Sequence, residues 1–137
     1  MIRSRVLKAA AAEGPVLILD EPLSFWGAFE PRSGVILDVH HPQRGACLAG
    51  TILLMRESKG SGSAPGGIAE AIRLGNAPAG IILVTPDINL AVGAEVAETL
   101  YGRGCAVVAV TEDDFTALCR AARLSISVTG EIRDETV

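Results

Sequence analysis

The amino-acid sequence predicts an α/β domain with a parallel-rich sheet, helices and an added layer of antiparallel strands. From residue 50 onward, short apolar runs alternate with helix-type patterns, and this alternation is typical of a parallel sheet covered by helices. The earlier part of the chain is rich in strand-type runs and has hardly any helical pattern. Because hydrophobic residues make up 49% of 137 residues, we expect one compact domain over residues 1–137.

The first half of the chain is expected to supply the antiparallel strands. Residues 4–12 fit either a helix or a strand, and we favour a strand that ends in a turn at Gly14 and Pro15. The apolar runs at 16–19 and 35–37 are typical of two further short strands.

Three aromatic residues, Phe25, Trp26 and Phe29, lie in the long segment between these two runs. Aromatic rings dominate core burial, so the three could close one end of the core. They could also line a pocket or contact a partner, since exposed apolar patches often mark binding sites. The residue types alone leave both interpretations open.

The second half predicts β-α-β-α-β-α-β. Strands are expected at residues 51–55, 79–84, 105–110 and 124–128, and the polar tail 131–137 is expected to fray. The first helix should end at Gly75, and the second is indicated by Val92, Val96 and Leu100, which recur every four residues. The third begins at the N-cap residue Thr111, and its inner face is predicted from four residues: Phe115, Leu118, Cys119 and Ala122.

The stretch at residues 58–67 is the strongest candidate for a functional loop. It contains four glycines and three serines between a predicted strand and a predicted helix. Glycine lets the backbone pass close to a ligand, and the helix start presents unpaired N–H groups that favour negative charge. By composition alone such a loop is more often a plain connector, so the motif indicates a site without proving one.

Charge and cysteine content exclude several functions. A net charge of −4 and a pI near 5.1 argue against nucleic acid and anionic membrane surfaces. The apolar runs are too short for a membrane helix, so we expect a soluble, cytoplasmic protein. The three cysteines have no CxxC spacing and are interpreted as buried small hydrophobes. His40 and His41 have no third ligand at a familiar spacing, so no metal site is predicted in this chain.

Several short motifs together resemble the small subunit, or swivelling domain, of the aconitase X family. The most specific of them is Leu23-Ser24-Phe25-Trp26-Gly27. The others lie at residues 21–22, 34–38, 41–42, 50, 59–61, 75–79 and 91–94. Two positions depart from the family pattern. Ala28 replaces a frequent second glycine, and Gly62 separates two hydroxyl residues that are often adjacent, which puts a direct role for Ser63 in doubt.

The resemblance implies a swivelling β/β/α fold and one part of a two-subunit lyase. In that family a large subunit carries an iron–sulfur cluster, and the small subunit closes over the active site and binds no cluster itself. The serine of the Lys-Gly-Ser motif, here Ser61, is implied as the catalytic base, while iron in the partner polarises the leaving hydroxyl. Four neighbours are implied as loop or substrate support: Lys59, Gly60, Gly62 and Ser63.

The resemblance implies a small-molecule dehydration but leaves its substrate open. We expect cis-3-hydroxy-L-proline dehydratase activity, which removes water to give a pyrroline-2-carboxylate. The alternative is phosphomevalonate dehydratase, for which Arg56 or Arg73 could bind the phosphate. Other classes remain possible, namely a phosphohistidine carrier and a non-catalytic interaction domain. A nucleotide-binding loop is disfavoured because the Gly-x4-Gly-Lys-Ser/Thr order is missing.

Overall fold

A mixed β-sheet organises the fold in the computed structural model of the chain, which describes residues 1–59 and 63–137. The strands are β1 (Ile2–Arg3), β2 (Arg5–Lys8), β3 (Ala12–Ile18), β4 (Phe29–Glu30), β5 (Val35–Ile36), β6 (Ile52–Leu54), β7 (Gly80–Leu83), β8 (Ala106–Ala109), β9 (Arg123–Ile126) and β10 (Glu131–Asp134). The helices are α1 (Ala64–Leu74), α2 (Ile88–Tyr101) and α3 (Glu112–Leu118). Within these ranges, no helix is both long and apolar enough to cross a bilayer.

The sheet has a parallel centre and antiparallel flanks. In the described part of the chain its order is β1-β10-β9-β3-β6-β7-β8-β2, and β4 pairs with β5 in a separate hairpin. Strands β3, β6, β7 and β8 are parallel, whereas β9 lies antiparallel to β3 and β2 antiparallel to β8. This confirms the predicted α/β class, the parallel-rich sheet and the antiparallel addition.

The two ends of this sheet meet at Ser4. Strands β1 and β2 occupy opposite ends of the strand order, although Ser4 alone separates them in the chain. One residue spans only about 3.5 Å, so the sheet must curl until its ends are adjacent. The Ser4 backbone N–H and side-chain hydroxyl both donate to the Gly130 carbonyl oxygen, at 3.0 and 2.7 Å, and fix this seam.

Each face of the central strands packs against its own core. Leu53 belongs to a cluster that also contains buried residues of α1 and α2, whereas its neighbours Ile52 and Leu54 belong to a second cluster. That second cluster includes Phe115 of α3 and Ile126 of β9. Successive strand residues point to opposite faces, so two-sided burial explains why β6, β7 and β8 are continuous apolar runs.

Helices α1 and α2 contact each other closely at Gly93. A Cβ atom at this position would lie 2.2 Å from Ile68 Cγ2 and 2.7 Å from the Pro65 carbonyl oxygen, so only glycine fits without rearrangement. The remaining buried positions of α2 are Leu90, Ala91, Ala94 and Ala97. The predicted helix is confirmed, but the stripe that indicated it faces outward, since Val92, Val96 and Leu100 are 42–64% exposed.

The predicted turn at Gly14 and Pro15 is wrong. Strand β3 continues through both residues and changes partner there, pairing with antiparallel β9 as far as Pro15 and with parallel β6 from Val16. A Cβ atom at Gly14 would lie 2.2 Å from the Gly50 carbonyl oxygen. The two residues therefore mark a close backbone crossing within a strand. The segment before them does form a strand, β2.

Three further expectations need correction. The tail does not fray as a whole, because β10 pairs with β1 and β9 and buries Ile132. Helix α3 ends at Leu118, so Ala122 is exposed instead of lying on its inner face. Of the three cysteines only Cys105 is buried, whereas Cys119 is half-buried and Cys47 is exposed.

Candidate active site

The Gly/Ser loop lies at the carboxyl edge of the parallel strands. Strands β3, β6, β7 and β8 end at the same edge because they run in the same direction, and ligands of such sheets bind at this edge. The loop follows β6, a central strand of the parallel set. The described start of the loop, Ser58 and Lys59, therefore follows the carboxyl end of a parallel strand.

Hydrogen bonds hold the start of this loop. The Ser58 hydroxyl donates to one carboxylate oxygen of Asp87, and the other oxygen accepts from the Asn89 backbone N–H at 2.8 Å. Asp87 is also the N-cap of α2, so one side chain joins the loop to a helix start. The Lys59 backbone N–H donates to the Leu23 carbonyl oxygen at 3.1 Å. Both contacts fix where the chain enters the loop.

The end of the loop is held through α1. Ser63 is the N-cap of this helix, and Pro65 lies in its first turn. Gly67 lets the helix approach the Phe25 backbone, because a Cβ atom there would lie 1.9 Å from the Phe25 carbonyl oxygen. With Gly93 on the other side, two glycine contacts position the α1 N-terminus, where backbone N–H groups favour negative charge.

The predicted catalytic residue, Ser61, and its neighbours Gly60 and Gly62 lie outside the described residues. Their roles therefore stay predictions. The flanking candidates are described: Ser63 occupies the N-cap position of α1, and Lys59 is an exposed residue that lines a small cavity. The cavity has a volume of about 160 Å³, and its other lining residues are Glu21, Pro22, Asp38, His40 and His41.

The buried histidine beside this cavity is held in place by both ring nitrogens. His41 Nδ1 accepts from the Gln43 backbone N–H at 3.0 Å, so Nε2 carries the hydrogen donated to the Glu21 carbonyl oxygen, also at 3.0 Å. His41 thus fixes the loop that follows β3. Across residues 1–59 and 63–137, no three His, Cys, Asp or Glu side chains are grouped to hold a metal ion.

The cysteines do not fit an iron–sulfur ligand set. Such clusters usually need three or four positioned thiolates. Cys105 is fully buried, and burial raises the pKa of its thiol to about 12, so it stays protonated near neutral pH. Cys47 is exposed near β5, and Cys119 lies at the end of α3. The three thiols therefore do not form the positioned ligand set that such a cluster needs.

The two arginines considered for phosphate binding contact other groups. Arg56 Nε donates to Glu112 Oε1 at 2.7 Å, and its guanidinium carbon lies 4.9 Å from the Phe115 ring centroid. Its hydrogen bond to Glu112 raises the pKa of Arg56. Arg73 pairs with Glu70 in the last turn of α1, at the opposite end from the loop.

The three aromatic residues combine the two interpretations, because they contribute to the core and also line a cavity. Phe25 and Phe29 are buried and pack edge to face, with their ring centroids 5.2 Å apart. Trp26 is 60% exposed and lines an apolar cavity of about 400 Å³ beside Gly66 and Gly67. All three residues line this cavity at the start of α1, Phe25 and Phe29 as buried core residues and Trp26 as an exposed one.

Sequence reasoning missed several residues that position the loop. Asp87 was passed over, although an Asp directly before an apolar helical pattern is a recognised N-cap signal. Gly93 lies among small residues on one helix face, which indicates close helix packing. Gly67 was assigned to the loop, whereas it lies inside α1 and contacts the Phe25 backbone. Glu21 and Asp38 belong to motifs of the family resemblance, but their proximity to Lys59 had no local signal, because it depends on distant segments.

Relatives of this chain include dehydratases of two kinds. Cis-3-hydroxy-L-proline dehydratase of Pseudomonas aeruginosa is 41% identical over 82% of this chain, which covers 19% of that protein. The phosphomevalonate dehydratase small subunit of Methanothermobacter thermautotrophicus is 37% identical over 68% of this chain and 71% of its own length. The chain therefore spans about a fifth of the curated hydroxyproline dehydratases that it matches.

A solved structure and a family model agree with the fold. The crystal structure of holo-form aconitase X from Thermococcus kodakaraensis superimposes with a TM-score of 0.79, covers 96% of this chain and 95% of the solved chain, and shares 24% identity. At this identity the match supports the fold alone. The family model described as the aconitase X swivel domain matches residues 1–134. This chain belongs to the aconitase X swivel-domain family.

Proposed function

We propose that this chain is the swivelling component of an aconitase X dehydratase that acts on cis-3-hydroxy-L-proline. The position of the Gly/Ser loop carries the proposal, since both of its ends are anchored at the edge where parallel sheets bind ligands. The 41% identity to a cis-3-hydroxy-L-proline dehydratase supports the choice of substrate.

In the proposed reaction, Ser61 acts as the base on the ring carbon that bears the carboxylate. The C–H bond at this carbon and the C–O bond at the neighbouring carbon break, and the C–H electron pair forms a double bond. The hydroxyl group and the proton leave together as water, giving a pyrroline-2-carboxylate. A serine hydroxyl is weakly acidic, so a base role needs nearby stabilisation, for which we propose the backbone N–H groups at the α1 N-terminus.

A large partner subunit with an iron–sulfur cluster completes the proposed enzyme. The cysteines and the other described ligand-type residues of this chain do not form a cluster site, and relatives are named small subunits. The chain is therefore proposed to work in the cytoplasm as one half of a heterodimer, without turnover by itself.

The test is reconstitution with an aconitase X large subunit under anaerobic, iron-replete conditions. We expect water elimination from cis-3-hydroxy-L-proline in the mixture and none from the chain alone. Ser61→Ala should abolish turnover while the assembly, followed by size-exclusion chromatography, remains intact. Ser33→Ala, which removes an exposed hydroxyl in the turn between β4 and β5, is the matched control. Comparable rates in both variants would remove Ser61 from the mechanism.

A phosphomevalonate dehydratase is the second candidate. It is favoured by coverage, since this chain spans 71% of a curated small subunit with that activity. The ion pairs of Arg56 and Arg73 argue against it, because both guanidinium groups already have carboxylate partners. Assaying the reconstituted enzyme with both substrates distinguishes the two candidates.

A further inference from the structure

The cavity beside Lys59 has charged side chains of both signs. Lys59 supplies an ammonium group, and Glu21 and Asp38 supply two carboxylates. The three residues come from different connections, since Glu21 follows β3, Asp38 follows β5 and Lys59 follows β6. The fold therefore brings opposite charges together from segments that are distant in the chain.

The backbone around these groups is fixed, while their charges have no counter-ion within the described residues. Asp38 Oδ1 accepts a hydrogen bond from the His40 backbone N–H at 2.9 Å. The Glu21 carbonyl oxygen accepts from His41 Nε2, and the Lys59 backbone N–H donates to the Leu23 carbonyl oxygen. Among the ion pairs of residues 1–59 and 63–137, none includes Glu21, Asp38 or Lys59. The remaining hydrogen-bonding capacity can serve a ligand.

We propose that this cavity binds the charged groups of a zwitterionic amino acid substrate. Lys59 pairs with the substrate carboxylate, and Asp38 pairs with the ring ammonium, with Glu21 adding negative potential. The inference rests on the proposed function and makes it more specific, because it assigns substrate recognition to this chain. A substrate with phosphate and carboxylate groups but no cation would instead meet two carboxylates, which repel it.

The location of the cavity agrees with this assignment. Lys59 precedes Ser61 by two residues, and two residues of chain span at most about 7 Å. The carbon that loses its proton in the proposed reaction carries both the carboxylate and the ring nitrogen. Two opposite charges that grip these substituents would therefore orient that carbon for the base, which is how enzymes gain from positioning.

The test separates the ammonium contact from a general charge effect. In the reconstituted enzyme, Asp38→Asn keeps an oxygen for the His40 N–H and removes the negative charge. We expect KM for cis-3-hydroxy-L-proline to rise about tenfold or more, the usual range for a lost hydrogen bond to a charged group. Glu57→Gln is the control, because it removes an exposed charge after β6 that does not line this cavity.

Two non-reacting ligands isolate the contact, with affinities measured by calorimetry. L-Proline has the ring ammonium, and tetrahydrofuran-2-carboxylate has an ether oxygen in its place. Asp38→Asn should weaken L-proline binding about tenfold and leave the ether analogue unchanged, whereas Lys59→Gln should weaken both. Equal effects of Asp38→Asn on both ligands, no effect on either, or failure of the parent enzyme to bind L-proline would overturn the proposal.

Calorimetry also separates this inference from the proposed reaction. If L-proline binding depends on Asp38 but no water is eliminated from hydroxyproline, the proposed reaction is wrong and the amino acid subsite stands. The opposite result has three parts: hydroxyproline is turned over, Ser61→Ala abolishes the turnover, and Asp38→Asn changes neither KM nor L-proline binding. In that case the proposed reaction stands and the proposed subsite is wrong.

Discussion

Both faces of α2 are apolar, but one is buried and the other is exposed to solvent. Apart from Leu90, the inner face uses small residues, and at Gly93 the helix lies so close to α1 that a Cβ atom would overlap Ile68. The outer face has larger side chains, and Ile88 and Leu100 are 66% and 64% exposed. A third side of the helix is tied to β2, because Lys8 Nζ lies 2.5 Å from Glu95 and 3.0 Å from Glu98.

With the exception of the buried Leu90, residue size distinguishes the inner side of α2 from the outer side better than hydrophobicity does. The large residues recur every four positions and give the obvious periodic signal, yet they face outward. The small residues form a weaker signal but allow the backbone approach that positions α1 and the loop before it. Interior contacts tolerate little change in side-chain volume, whereas an exposed face tolerates larger changes. The following predictions depend on this contrast.

The largest effect is expected at the inner face. Gly93→Ala should lower the free energy of unfolding by about 2–3 kcal/mol, because the added methyl group overlaps Ile68 and the Pro65 carbonyl. Gly66→Ala is the matched control, since a Cβ atom there has nothing within 4 Å, and it should be neutral or stabilising by up to about 1 kcal/mol. Urea denaturation of both variants provides the measurement. A neutral Gly93→Ala would mean that the two helices can separate freely.

An intermediate loss of stability is expected at alkaline pH, from the thiol of Cys105 in the core beneath the inner face of α2. Burial raises the pKa of Cys105 from 9.0 to about 12. Above pH 9 the unfolded thiol therefore loses its proton while the folded one keeps it, so stability falls as pH rises. The loss should reach about 2 kcal/mol at pH 10.5. Cys105→Ala should remove most of this dependence in urea titrations between pH 8 and 10.5, and burial of Cys119, which also raises the pKa of its thiol, should leave a smaller slope. An unchanged slope would contradict the prediction.

Lys8 contributes at higher pH in the same direction. Hydrogen bonds to Glu95 and then to Glu98 raise the pKa of Lys8 above its ordinary 10.5. Its stabilising contribution is complete below 10.5 and disappears as pH rises through the folded value. Above pH 10.5, Cys105→Ala should still lose stability as pH rises, and Lys8→Met should lose less. This pair of results would assign the remaining pH dependence of stability to the ion pairs of Lys8.

The smallest effect is expected at the outer face. Val92→Gln and Val96→Gln should each change the stability of the chain alone by no more than about 0.5 kcal/mol, because both side chains are more than 40% exposed. The same urea denaturation provides the check. A loss of 2 kcal/mol or more from either variant would show that this face is covered even without a partner, which would remove the contrast between the two faces.

Sequence patterns predicted the regular half of the fold well. Burial on both sides of β6, β7 and β8 produces continuous apolar runs, and glycines in the left-handed region at Gly75 and Gly102 end the first two helices where expected. The predicted Thr111 cap is confirmed, since its side chain accepts from the Asp114 backbone N–H at 3.2 Å. These signals are local, so the sequence contains them directly.

The errors arose where distant segments decide the structure. Gly14 and Pro15 have turn chemistry, but contact with Gly50 and the change of strand partner place them inside β3. The polar tail has few apolar residues, yet pairing with β1 and β9 orders it as β10. For the site, the loop and its edge of the sheet were predictable. The anchoring by Asp87 and the charged cavity depend on long-range contacts.

The seam at Ser4 has a consequence for cutting and fusing this domain. Residues 2–8 pair with β10 on one stretch and with β8 on the next, so a single short segment occupies both free borders of the curled sheet. Deleting it would uncover backbone donors and acceptors at two places at once, the condition that favours strand exchange between molecules and aggregation. A tag or fusion partner should therefore keep residues 2–8 intact and be joined by a linker long enough to leave both pairings undisturbed.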